Sequence, residues 1–108
     1  MLLTKRPAKS YLLMNKKLNL LGLAQAAGKL VSGEPQVLTA IKQKQAKVVL
    51  LAADCGAATQ KKIRNKCSYY DIQLIENYTQ YDLSQALGKK RTVVCLTDKG
   101  FAQSFLSK

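Results

Sequence analysis

Two short stretches carry residues of a type and spacing suited to gripping a polyanion. Residues 28–36 read GKLVSGEPQ. Gly33 has no Cβ, so a base or phosphate can approach its backbone. Pro35 fits the first turn of the helical pattern that follows, where its missing N–H costs nothing. The other N–H groups of that turn are unpaired donors that favour anions. Glu34 and Gln36 can hydrogen-bond base edges. The second stretch, Lys89-Lys90-Arg91, sets three cations in a row; such side chains neutralise phosphates and supply affinity without sequence information. A plainer reading assigns Glu34 to the helix dipole, worth ~0.3–1 kcal/mol, and Gly33 to a turn. Local sequence leaves both open.

Other chemistries find little support. The chain has no histidine among its 108 residues and three cysteines, Cys55, Cys67 and Cys95, without CxxC spacing. That argues against Cys/His zinc sites and against Cys–His or Ser–His nucleophile pairs. The cysteines read as small buried hydrophobes in a reducing compartment. Gly22 and Gly28-Lys29 hint at a phosphate-binding loop, but their spacing is one residue too long. Leu30 stands where the motif needs a hydroxyl, and the segment has a helical pattern. Asp54-Cys55 follows an apolar strand, a place where α/β enzymes keep catalytic residues; strand-end punctuation explains the pair more simply. The expectation is a non-catalytic protein with no cofactor and no metal.

Charge is the outstanding property. Lys and Arg total 18 against 6 Asp and Glu, a formal +12, while 47% of residues are hydrophobic. A core is therefore expected together with a polyanionic partner. Basic residues cluster at Lys42/Lys44/Lys47, at Lys61/Lys62/Arg64/Lys66 and at Lys89–Arg91. No run approaches the ~18 apolar residues of a spanning helix, and the basic start lacks a signal-peptide pattern. The expectation is a cytoplasmic monomer that avoids membranes.

These residues need elements to position them. Residues 1–14 read as a flexible basic arm and 15–108 as one domain. Asn15 can cap a helix bearing Leu18, Leu20, Leu21, Leu23, Ala24 and Ala27, with Gly28 closing it. Leu30-Val31 is a short strand. Val37, Leu38, Ala40 and Ile41 form the inner face of the helix after Pro35. VVLLAA at 48–53 is a central strand, IQLI at 72–75 a third and TVVCLT at 92–97 a fourth. Ile63, Cys67 and Tyr70 recur at helical spacing. Thr79 and Asp82 resemble a capping box for a helix ending at Gly88, and Asp98 opens a last helix with Phe101 and Phe105 on one face. The alternation predicts an α/β fold, a three-layer α-β-α sandwich around a four-stranded mixed sheet.

Taken in order, GK-LVSG at 28–33, AKVVLLAAD at 46–54, LSQALGKKRTV at 83–93 and TD-GFA at 97–102 resemble the ribosomal protein family of archaeal L-seven-Ae and eukaryotic L-thirty-e. Within that family the chain looks like the small bacterial YlxQ-type branch, and the resemblance covers about residues 15–106. It implies a sandwich that binds structured RNA without catalysis, as a ribosomal or ribosome-associated protein. Relatives grip kink-turns through the loop entering the second helix and the loop before the last strand. Carried over, the RNA-binding candidates are Lys29, Ser32, Gly33, Glu34 and Gln36 with Lys89, Lys90, Arg91 and Thr92, in two loops expected to adjoin at one end of the sheet. Strong kink-turn readers carry Gly-x-Asn-Glu and a lysine three residues on. This chain has Gly33-Glu34-Pro35-Gln36 and Thr39 there, so RNA binding carries over and the exact target stays open. Some proteins on this fold are interaction modules, which makes docking of an acidic protein partner the alternative.

Overall fold

The computed structural model describes residues 8–107, with side chains from Lys16 onward. In chain order the elements are α1 (Ala8–Ala26), β1 (Leu30–Ser32), α2 (Glu34–Lys42), β2 (Val48–Leu51), α3 (Ala57–Tyr69), β3 (Gln73–Ile75), α4 (Gln80–Leu87), β4 (Val93–Leu96) and α5 (Lys99–Leu106). The strands form one sheet in the order β1-β4-β2-β3. β4 is antiparallel to both β1 and β2, and β2 is parallel to β3. The sheet is therefore mixed, as expected.

β2 and β4 are apolar throughout because helices cover both faces of the sheet, and every residue of both strands is buried. Val48, Leu50, Val94 and Leu96 pack with Leu21 and Ala24 of α1, Leu83 and Leu87 of α4, and Ala102 and Phe105 of α5. The alternate residues Val49, Leu51, Val93 and Cys95 pack with Val37, Ala40 and Ile41 of α2 and Ile63 and Cys67 of α3. Each fully buried Val, Leu, Ile or Phe side chain contributes about 1.5–3 kcal/mol of transfer free energy. A Cβ added at Gly22 would lie 3.2 Å from the Ala86 carbonyl oxygen, so that glycine serves the close approach of α1 to α4.

The punctuation follows the sequence closely. Thr79 and Asp82 form a reciprocal capping box on α4, which ends at Gly88 in the left-handed region. Asp98 accepts from the Phe101 N–H at the start of α5. Gly28 sits at φ +74°; its N–H donates to the Gln25 carbonyl and the Lys29 N–H to the Ala24 carbonyl, closing α1 as a Schellman motif.

One boundary is corrected. α1 begins at Ala8 rather than Asn15, so Asn15 lies inside the helix and is not its cap. Apolar periodicity starts near residue 15, but residues 8–21 contain no Gly or Pro to stop a helix. Of the expected arm, residues 1–7 lie outside the described residues. Of the apolar residues this helix bears, Leu23 and Ala27 are exposed.

The strand order decides which loops meet. β4 runs back between β1 and β2, so its start lies beside the end of β1. At this end Gly33 N–H donates to the Val93 carbonyl (3.0 Å) and Ala52 N–H to the Thr92 carbonyl (2.8 Å). At the opposite end Lys47 N–H donates to the Leu96 carbonyl (2.8 Å) and Thr97 N–H to the Lys29 carbonyl (3.0 Å).

Candidate nucleic-acid interface

The β1–α2 turn and the α4–β4 loop adjoin, and one side chain joins them. Arg91 Nε donates to Ser32 Oγ across 2.9 Å, and its Nη1 donates to the Lys90 carbonyl. Its backbone N–H donates to Ser84 Oγ of α4. Half-buried Arg91 therefore acts as a latch between the two loops, a commitment within the protein that Lys89 and Lys90 do not share among the described residues. Those two lysines are exposed, and neither has an ion-pair partner among the described residues. Thr92 is half-buried and meets the sheet through its carbonyl.

Gly33 adopts φ +97°, ψ 143°, a conformation that side chains strongly disfavour. Its carbonyl accepts the Val37 N–H at 2.9 Å, the first helical bond of α2. Pro35 lies in the first turn, and no side chain caps this helix among the described residues. The bare surface expected at Gly33 is partly screened, because Gln36 Oε1 lies 2.6 Å from where a Cβ would sit. Gln36 is exposed and long, so this screen is movable.

Glu34 is more committed than its sequence position suggests. Oε1 accepts from Thr59 Oγ1 (2.9 Å) and Oε2 pairs with Lys62 Nζ (2.9 Å), tying α2 to α3. The Lys62 ammonium, with the Thr59 hydroxyl, holds the carboxyl below its ordinary range. Free acceptor capacity toward a base edge is thereby reduced. Lys29 is not part of this cluster. It flanks β1 at the opposite end, about 13 Å from Gly33 at ~3.3 Å per residue; sequence proximity was misleading because a strand intervenes.

Sequence reasoning missed a groove beside the lysines. Asp54, Gln80, Tyr81, Ser84, Gln85, Gly88, Lys89 and Lys90 line a shallow, open groove of about 610 Å³. Asp54 Oδ1 accepts the Gln80 N–H at 2.8 Å, which seats the start of α4 against the end of β2. Tyr81 is 70% exposed. The available signal was its place off the Leu83/Leu87 stripe, an aromatic on a polar helix face.

The thiols are poorly suited to nucleophilic work. Burial pushes Cys67 up to about 11 and Cys95 up to about 12, and it also raises half-buried Cys55; all three favour the unreactive thiol at neutral pH. No cluster of metal-ligating residues occurs among the described residues. No described helix is long and apolar enough to cross a membrane.

The model of the ribosomal protein L7Ae/L30e/S12e/Gadd45 family matches residues 15–105. The RNA-binding protein YlxQ of Enterococcus faecium is 40% identical over 88 residues, 82% of this chain and 85% of its own. The Bacillus subtilis (strain 168) protein of the same name is 43% identical over 89 residues, 82% and 89%. A solved Bacillus halodurans structure has a TM-score of 0.79 at 38% identity, covering 83% of this chain and 92% of that one. The Giardia lamblia 15.5kD RNA binding protein has a TM-score of 0.71 at 14% identity, covering 85% and 81%, a likeness of fold alone. With the sandwich, its loop order and this coverage in agreement, the chain belongs to the ribosomal protein L7Ae/L30e/S12e/Gadd45 family, as a YlxQ-type member.

Proposed function

We propose that this protein binds structured RNA, of kink-turn-like shape, as a non-catalytic ribosomal or ribosome-associated factor acting as a monomer in the cytoplasm. The observation that carries this reading is the Arg91–Ser32 latch, which sets the Gly33 turn beside the exposed Lys89 and Lys90. A sharply bent RNA offers what such a surface takes: crowded phosphates for the two lysines, and unstacked bases for the helix start and Gly33. Recognition by shape and splayed bases suits RNA, whose A-form major groove side chains cannot read. The Tyr81 groove continues the surface and presents an aromatic face to an unpaired base. Homologues named as RNA-binding proteins support RNA as the partner.

The test compares a kink-turn RNA with a straight duplex of equal length by fluorescence anisotropy. The bent RNA is expected to bind at least about tenfold tighter, a difference of ~1.4 kcal/mol. Equal affinities would reduce the surface to nonspecific charge. Binding of an acidic protein that RNA does not displace would favour the interaction-module alternative.

A further inference from the structure

The far end of the sheet carries cations that the Gly33 end does not explain. Lys29 and Lys47 flank the β1-β4-β2 strands there, tied by the backbone bonds of Thr97 and Leu96. Lys42 and Lys44 close α2 beside them. All four are exposed, and none has an ion-pair partner among the described residues. Two acids share this end. Asp98 is occupied in capping α5, and Asp71 stands exposed.

Two observations separate this rim from an ordinary solvated face. First, Lys44 sits at φ +61° in the closing turn of α2. Its N–H donates to the Ile41 carbonyl and the Gln45 N–H to the Ala40 carbonyl, the place where a helix favours glycine. Lys44 is held there at a backbone cost that glycine would not carry, as is Asp71 at φ +56° on the same rim. Second, Tyr69 is 80% exposed and lies edge-on to Tyr70, with ring centroids 4.9 Å apart. Tyr70 in turn lines a cavity of about 310 Å³ with Ile41, Lys44, Ala46 and Ile72. Tyr69 thus reaches the Lys44 cavity through Tyr70, and exposed rings combined with cations suit unpaired nucleic acid, the ring stacking a base and the cations following the backbone.

We propose that this rim is a second RNA site, in which an unpaired segment stacks a base on Tyr69 and passes its phosphates along Lys44, Lys47 and Lys29. The protein then holds two RNA segments at opposite ends of its sheet. This goes beyond the kink-turn reading and stands without it.

The full-length protein is saturated with a kink-turn hairpin and titrated with a fluorescent single strand of mixed sequence, about ten nucleotides long. Native mass spectrometry is expected to show one protein carrying one of each RNA. Binding of the strand should weaken with salt at a log–log slope of about 2, from ~0.7 per phosphate contact at three lysines. The Lys44→Gly/Tyr69→Ala variant should bind the strand about tenfold or more weakly while holding the hairpin as the wild type does. Lys44→Gly alone should raise Tm, because glycine suits that turn, and still lose strand affinity. The proposal is overturned if the hairpin displaces the strand, if the variants bind the strand as the wild type does, or if polyglutamate holds the rim against the strand. Should the hairpin bind no better than a duplex, the kink-turn reading fails by itself, and strand titration of the free protein and its variants still decides the second site.

Discussion

Lys89, Lys90 and Arg91 are neighbours in sequence that should answer mutation differently. Replacing Arg91 with alanine removes a 2.9 Å bond from Nε to Ser32 Oγ in a half-buried setting, together with a more exposed bond to the Lys90 carbonyl. A charge-assisted bond contributes about 1.5–3 kcal/mol when shielded and much less in water. The first is therefore worth about 1–1.5 kcal/mol and the second at most about 0.5, a loss of about 1–2 kcal/mol in all. For a domain of this length that lowers Tm by about 4–12 °C. The Lys89→Ala/Lys90→Ala pair removes no side-chain hydrogen bond or ion pair among the described residues, so stability should stay within about 0.5 kcal/mol. Its signature is instead a fall of about 1.4–1.8 in the salt slope of RNA affinity, at ~0.7–0.9 per phosphate. Thermal unfolding and salt-titrated anisotropy on the same preparations separate the two. If Arg91→Ala leaves Tm unchanged and flattens the salt slope as one lysine does, the latch is wrong and Arg91 is simply a third free cation.

Gly33→Ala should cost about 1–3 kcal/mol in urea unfolding with no RNA present, since φ +97° disfavours any side chain; wild-type stability would leave the glycine without a backbone role. Glu34 has a lowered pKa in the folded state, so its contribution is present above the ordinary value of 4.5 and is lost as pH falls through the lowered one. Glu34→Gln should therefore flatten that part of the acid-unfolding curve, and superimposable curves would count against the Lys62 pairing. Under native conditions iodoacetamide should modify Cys55 ahead of Cys67 and Cys95, which are buried with raised pKa values. Equal labelling of all three, read by mass spectrometry, would contradict the core described here.

Legibility varied with how local the cause was. The capping box at Thr79 and Asp82, the closing glycines 28 and 88, and the two wholly apolar strands depend on a few adjacent residues, and all were readable. The start of α1 was not, because periodicity marks where a helix is packed and not where it begins. Within the candidate site, the meeting of the two loops was expected from family resemblance. The commitments of Arg91 to Ser32 and of Glu34 to Thr59 and Lys62 join residues far apart in sequence, and no local pattern announces them.

By itself the sequence determined that this chain has a sheet covered on both faces, helices with defined stops, and a charge suited to a polyanion. Those properties follow from side-chain apolarity, backbone preference and ionisation, which each residue carries with it. Tertiary structure alone decided which cations are free and which are latches, and at which end of the sheet each one lies. The antiparallel insertion of β4 between β1 and β2 did this, placing Lys89 and Lys90 beside Gly33 while sending Lys29 to the opposite rim.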